Sequence, residues 1–221
     1  MKTHFYLYLN LIGLLTMLEC TSLYRPMMEL PLRVHIINSN HSGIDANISN
    51  SEVKELLVGV NKVWKQAGIT WKIESIVPSI IGNEDKLANF LRKPKDLTYG
   101  RKLLVNSIPL ENKLETGWNV FLIKSLGPSG GVYLRELCVI MFPVHSDIGR
   151  HPQILAHELG HALGLNHVKA DGLNLMQEKP PKGTDESLRD PTKANYLSKE
   201  QISKARKQAL LGRAFDIRRD Y

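Results

Sequence analysis

The sequence predicts an α/β (α+β) fold: one mixed, twisted β-sheet with an edge strand, a long backing helix and a small C-terminal lobe that ends in a helix. Three observations support this prediction. Two alternating apolar stretches flank a segment of helical periodicity in the first third of the chain. Two apolar segments, 118–124 and 137–143, are suited to interior strands. A second amphipathic helix follows the last of them.

The first third of the chain has the order strand, helix, strand. Alternation from Leu32 to Ile36 predicts a first strand that begins directly after Pro31. Ser49 then opens an S-x-x-E capping box, and apolar residues recur at helical spacing up to Gly68. The stretch 69–76 alternates again. Because a crossover helix joins parallel strands, we expect the two strands to pair in parallel.

The middle of the chain supplies the other strands. From 83 to 116 the sequence predicts only a short helix at 86–92 and a charged loop beyond it. A Gly- and Pro-rich loop between the two interior strands leads into a short edge strand, Val132, Tyr133 and Leu134. An exposed edge can bind an extended peptide through main-chain hydrogen bonds, and an ordinary hairpin edge without a ligand is the alternative.

The last third is predicted to contain two helices. Pro152 is favoured at a first helical position, so a helix is expected from there to about Leu163. Ser198 and Gln201 form an S-x-x-Q capping box for a final helix that runs to about Gly212.

The segment HELGHALGLNH near the end of the first of these helices has the spacing of a metal site. His157 and His161 are four residues apart, so both rings project from one helix face. Gly164 can adopt the left-handed conformation that ends a helix, which returns His167 toward the same ion. Three neutral imidazoles with one open position are typical of catalytic zinc, and Glu158 beside them is suited to be a general base.

This segment resembles the HExxHxxGxxH signature of the metzincin zinc metallopeptidases, and Asn174-Leu175-Met176 resembles their Met-turn. Eight residues separate His167 from Met176, a short connection similar to that of the matrixins. The resemblance implies a metzincin-like fold, one catalytic Zn²⁺ on the three histidines and Met176 as a structural platform beneath the ion. It also implies a protein or peptide substrate. It says nothing about calcium.

Two other functions remain open. The chain could be a zinc- or peptide-binding module without catalysis, although Glu158 has little purpose in such a module because it is not a ligand. It could also be a zinc hydrolase of a non-peptide amide, which the predicted edge strand disfavours. A monomer is expected.

Composition and the N-terminus indicate the location. Residues 1–22 have the charge and apolar run of a signal peptide and are too interrupted for a stable membrane span, so a secreted protein is expected, with lipid anchoring through Cys20 as the alternative. Residues 23–221 then form one catalytic domain, with an upper lobe at 30–167 and a lower lobe at 168–221. The net charge of +7 comes from scattered basic residues without interleaved aromatics, so no nucleic-acid partner is expected.

Overall fold

The computed structural model describes residues 26–92, 96–127, 130–145, 151–169, 173–178, 194–216 and 218–219. Its strands and helices, in chain order, are β1 (Met28–Ile37), α1 (Asn50–Trp64), β2 (Ile69–Ser79), α2 (Glu84–Arg92), α3 (Leu97–Ser107), β3 (Trp118–Ile123), β4 (Val132–Leu134), β5 (Val139–Pro143), α4 (Pro152–Ala162) and α5 (Lys199–Leu210). The predicted signal peptide lies outside the described residues. Within them, no helix has both the length and the apolar character that a membrane crossing requires.

The five strands form one mixed sheet in the order β2-β1-β3-β5-β4. β1 pairs in parallel with β2 and β3, and β3 pairs in parallel with β5. β4 lies at the edge and pairs antiparallel with β5. The predicted parallel pairing of the first two strands, the interior strands and the short edge strand are therefore confirmed.

Helices cover both faces of this sheet. Alternate residues of β3 belong to two separate apolar clusters, with Val120 and Leu122 in one and Phe121 and Ile123 in the other. The first cluster includes apolar residues of α1, α4 and α5, and the second includes those of α2 and α3. Because β3 and β5 are buried on both faces, they contain apolar residues at every position but Asn119 and Pro143, rather than an alternating pattern.

The backing helix α1 is positioned by its capping box and by its buried face. The side chain of Ser49 accepts from the N–H of Glu52, whose carboxylate in turn accepts from the N–H of Ser49. The helix continues as a 3₁₀ turn that ends at Gly68, where φ is +63°. Trp64 is fully buried and donates from Nε1 to the carbonyl of Ala156 at 3.2 Å. Since Ala156 precedes the first histidine of the motif, this bond links α1 to the part of α4 that contains the two histidines.

The predicted charged loop after residue 92 is wrong in part, because helix α3 occupies 97–107. Asp96 caps it by accepting from the N–H groups of Thr98 and Tyr99. Only a narrow stripe of the helix, including Leu103 and Leu104, is buried. Charged residues next to that stripe interrupt the apolar periodicity by which a helix is recognised in a sequence.

The first strand also begins earlier than predicted, at Met28 rather than after Pro31. Pairing with β3 starts only at Leu32, opposite Trp118. The proline therefore lies where the strand has no neighbour on that side, a position at which a missing N–H is tolerated.

His35, which the sequence assigns no role, is a fully buried residue of the sheet. Its ring stacks on Phe121 with the centroids 4.0 Å apart. Its nitrogens lie 3.0 Å from the hydroxyl of Ser79 and 3.3 Å from Oδ1 of Asn119. Burial lowers the pKa of His35 from 6.5 to about 4, although the hydrogen bond that Oδ1 of Asn119 accepts from the ring acts to raise it.

This pKa predicts how stability changes with pH. Between pH 6.5 and 4 the unfolded chain binds a proton at His35 and the folded chain does not, so the free energy of unfolding should fall as the pH is lowered through this range, by up to about 3 kcal/mol from this residue. In His35→Gln that share of the slope should vanish, although the variant is less stable at pH 7. Urea unfolding of both proteins at several pH values, in chelator, measures the difference. Identical slopes would contradict the assignment.

Candidate metal centre

The first two histidines of the motif lie one turn apart on α4. His157 and His161 are both half-buried, and their Nε2 atoms are 3.1 Å apart. The opposite side of the helix packs into the core through Ile154, Leu155 and Leu159. The helix therefore presents both rings to one point while its other face fixes its position.

The third histidine reaches the same point because the helix ends at Ala162. Gly164 adopts a φ of +77°, and the N–H of Leu165 donates back to the carbonyl of Gly160 at 2.9 Å. After this turn the exposed His167 places its Nε2 at 3.1 Å from the Nε2 atoms of both other histidines.

Main-chain carbonyls fix the tautomers of the two helical histidines. Nδ1 of His157 donates to the carbonyl of Leu175 at 2.6 Å, and Nδ1 of His161 donates to the carbonyl of Leu165 at 2.8 Å. Both Nε2 atoms therefore present lone pairs. Desolvation by burial is the main cause that lowers the pKa of His157 to about 4 and that of His161 to about 3, so both imidazoles are neutral at pH 7.

Nitrogen lone pairs that converge at 3.1 Å repel one another unless a cation lies among them. Ligand nitrogens on one tetrahedral zinc, at about 2.0 to 2.1 Å from the ion, lie about 3.3 Å apart, so the observed triangle has the size that zinc requires. In the described part of the chain, the three histidines are the one group of this kind, and no carboxylate or thiol joins them. Such a donor set leaves a coordination position for a non-protein ligand.

Met176 lies directly beneath α4. It is fully buried, and a Cβ added at Gly160 would be only 2.4 Å from its Sδ. The turn formed by residues 174–176 therefore packs against the helix between the two metal-site histidines, and it also provides the carbonyl that binds Nδ1 of His157.

The start of α5 supports this turn. The side chain of Asn174 accepts from the N–H of Met176 at 2.9 Å and exchanges two hydrogen bonds with the side chain of Gln201, at 2.9 and 3.1 Å. Gln201 is also the third helical residue in the predicted capping box, which the structure confirms, with Ser198 as the N-cap.

Glu158 is 7% exposed and lies against the edge strand. Burial raises its pKa to about 8, and a hydrogen bond from the main chain of Tyr133 acts in the opposite direction. A Cβ added at Gly131 would be 2.8 Å from Cγ of Glu158 and 3.1 Å from its Oε1. The carboxyl group of Glu158 therefore occupies the space that a side chain at position 131 would need.

A cleft of about 380 Å³ runs between the edge strand and the metal centre. It is lined by Arg101, Gly131, Val132, Tyr133, Arg135, Glu158, His161 and His167. The strand β4, with Val132, Tyr133 and Leu134, thus lies beside the histidines. The carbonyl of Tyr133 is 3.5 Å from a guanidinium nitrogen of Arg101, a long contact that faces the open side of the strand.

Three residues of this site had no predicted role in the sequence: Gly131, Gly160 and Arg135. The proximity of Gly131 to the carboxyl group of Glu158 cannot be recognised before the fold brings the two together. The pairing of Asn174 with Gln201 likewise joins two segments that the sequence separates.

No protein-family model and no curated protein matches the chain. Solved structures that resemble it weakly include metalloproteinase-II from Bacteroides fragilis, with 17% identity, a TM-score of 0.44 and coverage of 83% of this chain and 54% of that one. Archaemetzincin from Methanopyrus kandleri shares 12% identity with a TM-score of 0.47 and coverage of 83% and 96%. A chaperone-substrate complex shares 11% with a TM-score of 0.48 and coverage of 86% and 36%. Because these TM-scores are below 0.5, we base the function of the site on the chain's own residues.

The contact between Gly160 and Met176 predicts that Gly160→Ala destabilises the protein by roughly 1 to 3 kcal/mol, because the new methyl group would overlap a buried sulfur atom. In the double variant with Met176→Ala, the cost should be smaller than the sum of the two single costs. Urea unfolding measures the free energy of unfolding of the two single variants and of the double variant. Gly43→Ala is the matched control, since nothing lies within 4 Å of a Cβ there. Strict additivity of the two changes would refute the contact.

Proposed function

We propose that this chain is a zinc-dependent endopeptidase of the metzincin type that hydrolyses peptide bonds in proteins or peptides. One observation supports this most strongly: three imidazole Nε2 atoms meet at 3.1 Å beside the buried carboxyl group of Glu158. The matrixin-like spacing between His167 and Met176 supports the same proposal. So does the close packing of Met176 beneath the helix that contains His157 and His161.

His157, His161 and His167 would bind the ion through Nε2. A zinc ion bound in this way polarises a carbonyl group and lowers the pKa of water to about 7. The carbonyls of Leu175 and Leu165 orient two of the rings and increase the basicity of their ligand nitrogens.

Glu158 would be the general base. Its carboxylate takes a proton from the attacking water, whose oxygen forms a bond to the scissile carbonyl carbon, and then delivers that proton to the nitrogen of the leaving amine as the C–N bond breaks. Burial favours this role because it raises the pKa of the carboxyl group to about 8, which makes the carboxylate a stronger base than an exposed one. The N–H of Tyr133 orients the carboxylate.

The substrate would lie along the cleft next to β4, where Val132, Tyr133 and Leu134 form the edge of the sheet. Chelator-sensitive cleavage of a mixed peptide library tests the proposal. A module without catalysis would bind zinc and cleave nothing, and a hydrolase of another amide would cleave small amide substrates but no member of the library.

Residues 1–22 support a location outside the cytoplasm, through cleavage as a signal peptide or through a lipid on Cys20. We therefore propose that the substrate is an extracytoplasmic protein or peptide.

Glu158→Gln should retain zinc and lower kcat at least about 100-fold, because the amide preserves the shape of the side chain but cannot accept the proton. Zinc content by elemental analysis and hydrolysis of a library-derived peptide measure the two properties. Glu55→Gln, a change at an exposed position on α1, is the matched control and should keep full activity. Wild-type activity in Glu158→Gln would exclude the assigned role.

Gly131→Ala should lower kcat about tenfold or more with unchanged zinc content, because the methyl group would displace the carboxyl group of Glu158 and not the histidines. Steady-state kinetics and elemental analysis are compared with those of Gly43→Ala. Loss of zinc from Gly131→Ala would show instead that this glycine supports the metal centre.

A further inference from the structure

We infer that the guanidinium group of Arg135 binds a carboxylate group of the substrate, in the cleft between the edge strand and the metal centre. This rests on the proposed function and names a class of substrate: peptides with a carboxylate close to the scissile bond. The carboxylate is either an acidic side chain or the C-terminus of the peptide, since both have the same chemistry.

The cleft contains an excess of positive charge. Its lining has two guanidinium groups, those of Arg101 and Arg135, and one carboxyl group, that of Glu158, which is nearly fully buried. Arg101 is neutralised by Glu136, to which it donates two hydrogen bonds, at 3.0 and 2.8 Å. Arg135 has no ion pair or side-chain hydrogen bond with any residue that the structure describes.

The position of Arg135 is fixed by its backbone. It opens the tight turn that joins β4 to β5, in which the N–H of Leu137 donates to the carbonyl of Leu134 at 3.1 Å. Cys138 closes the turn with a φ of +56°, and its thiol lies 3.6 Å from the carbonyl of Arg135. The half-buried side chain of Arg135 projects from this hairpin and lines the cleft.

Arg135 lines the same cleft as His161 and His167, so its guanidinium group lies near the position where a substrate would meet the metal centre.

A carboxylate is the group that this cation fits best. Guanidinium groups bind carboxylates through two parallel hydrogen bonds, and such bonds are stronger in a partly buried cleft than in water. Glu136 is close enough for the charge of Arg135 to help lower its pKa, but its carboxylate accepts two hydrogen bonds from Arg101 and none from Arg135. A carboxylate could instead bind the metal directly, and the experiment below separates that case because metal binding does not depend on Arg135.

Three fluorescent peptides with one common sequence test the inference. The first is uncharged with an amidated C-terminus, the second replaces one Gln near the scissile bond by Glu, and the third has a free C-terminal carboxylate. We would measure kcat/KM with the zinc-loaded protein, and affinity by fluorescence anisotropy with zinc-loaded Glu158→Gln. Each measurement is repeated with Arg135→Gln and with the control Arg92→Gln, which removes a positive charge from an exposed site outside the cleft lining.

The expected result is a preference of about tenfold for the second or third peptide, lost in Arg135→Gln and retained in Arg92→Gln. Preference for the second peptide identifies an acidic side chain, and preference for the third identifies a C-terminus. Equal affinity for all three peptides, a preference that persists in Arg135→Gln, or no binding at all would overturn the inference. Cleavage without a preference leaves the proposed peptidase intact, whereas an Arg135-dependent affinity without cleavage leaves this inference intact and removes the peptidase.

Discussion

The structure depends on one constraint: three imidazole nitrogens approach to 3.1 Å with their lone pairs facing one another. Two Nδ1–H groups donate to the carbonyls of Leu175 and Leu165, and these bonds set the direction of two of the rings. Ligands that are ordered in this way lose less conformational freedom when they bind a metal.

Support for that constraint comes from distant parts of the chain. Trp64 on the backing helix binds the carbonyl of Ala156, immediately before the first histidine. On the other side, Gln201 binds Asn174 and so stabilises the turn that contains Leu175. Hydrogen bonds therefore link α4 directly to α1 and, through the turn at residues 174–176, to α5.

Local patterns made much of this predictable. The His157–His161 spacing, the glycine at 164, the two capping boxes and the alternation of the strands each depend on neighbours within about four residues, where sequence rules are strongest. Helix α3 was missed because its buried stripe is narrow, and β1 was placed too late because Pro31 suggests a boundary. The contacts of Gly131 with Glu158 and of Gly160 with Met176 join segments separated by turns and strands, so no local pattern contains them.

The edge strand contributes both main-chain and side-chain groups to the cleft beside the metal centre. Tyr133 uses its N–H for Glu158, its hydroxyl for the carbonyl of Phe215, and its carbonyl faces Arg101. The N–H of Tyr133 thus has an intramolecular partner, whereas its carbonyl makes only a long contact with Arg101. The proposed peptide substrate would need side-chain contacts as well as main-chain bonds, because the strand has only three residues. Arg135 lines the same cleft, so charge as well as strand pairing is available there to orient such a substrate.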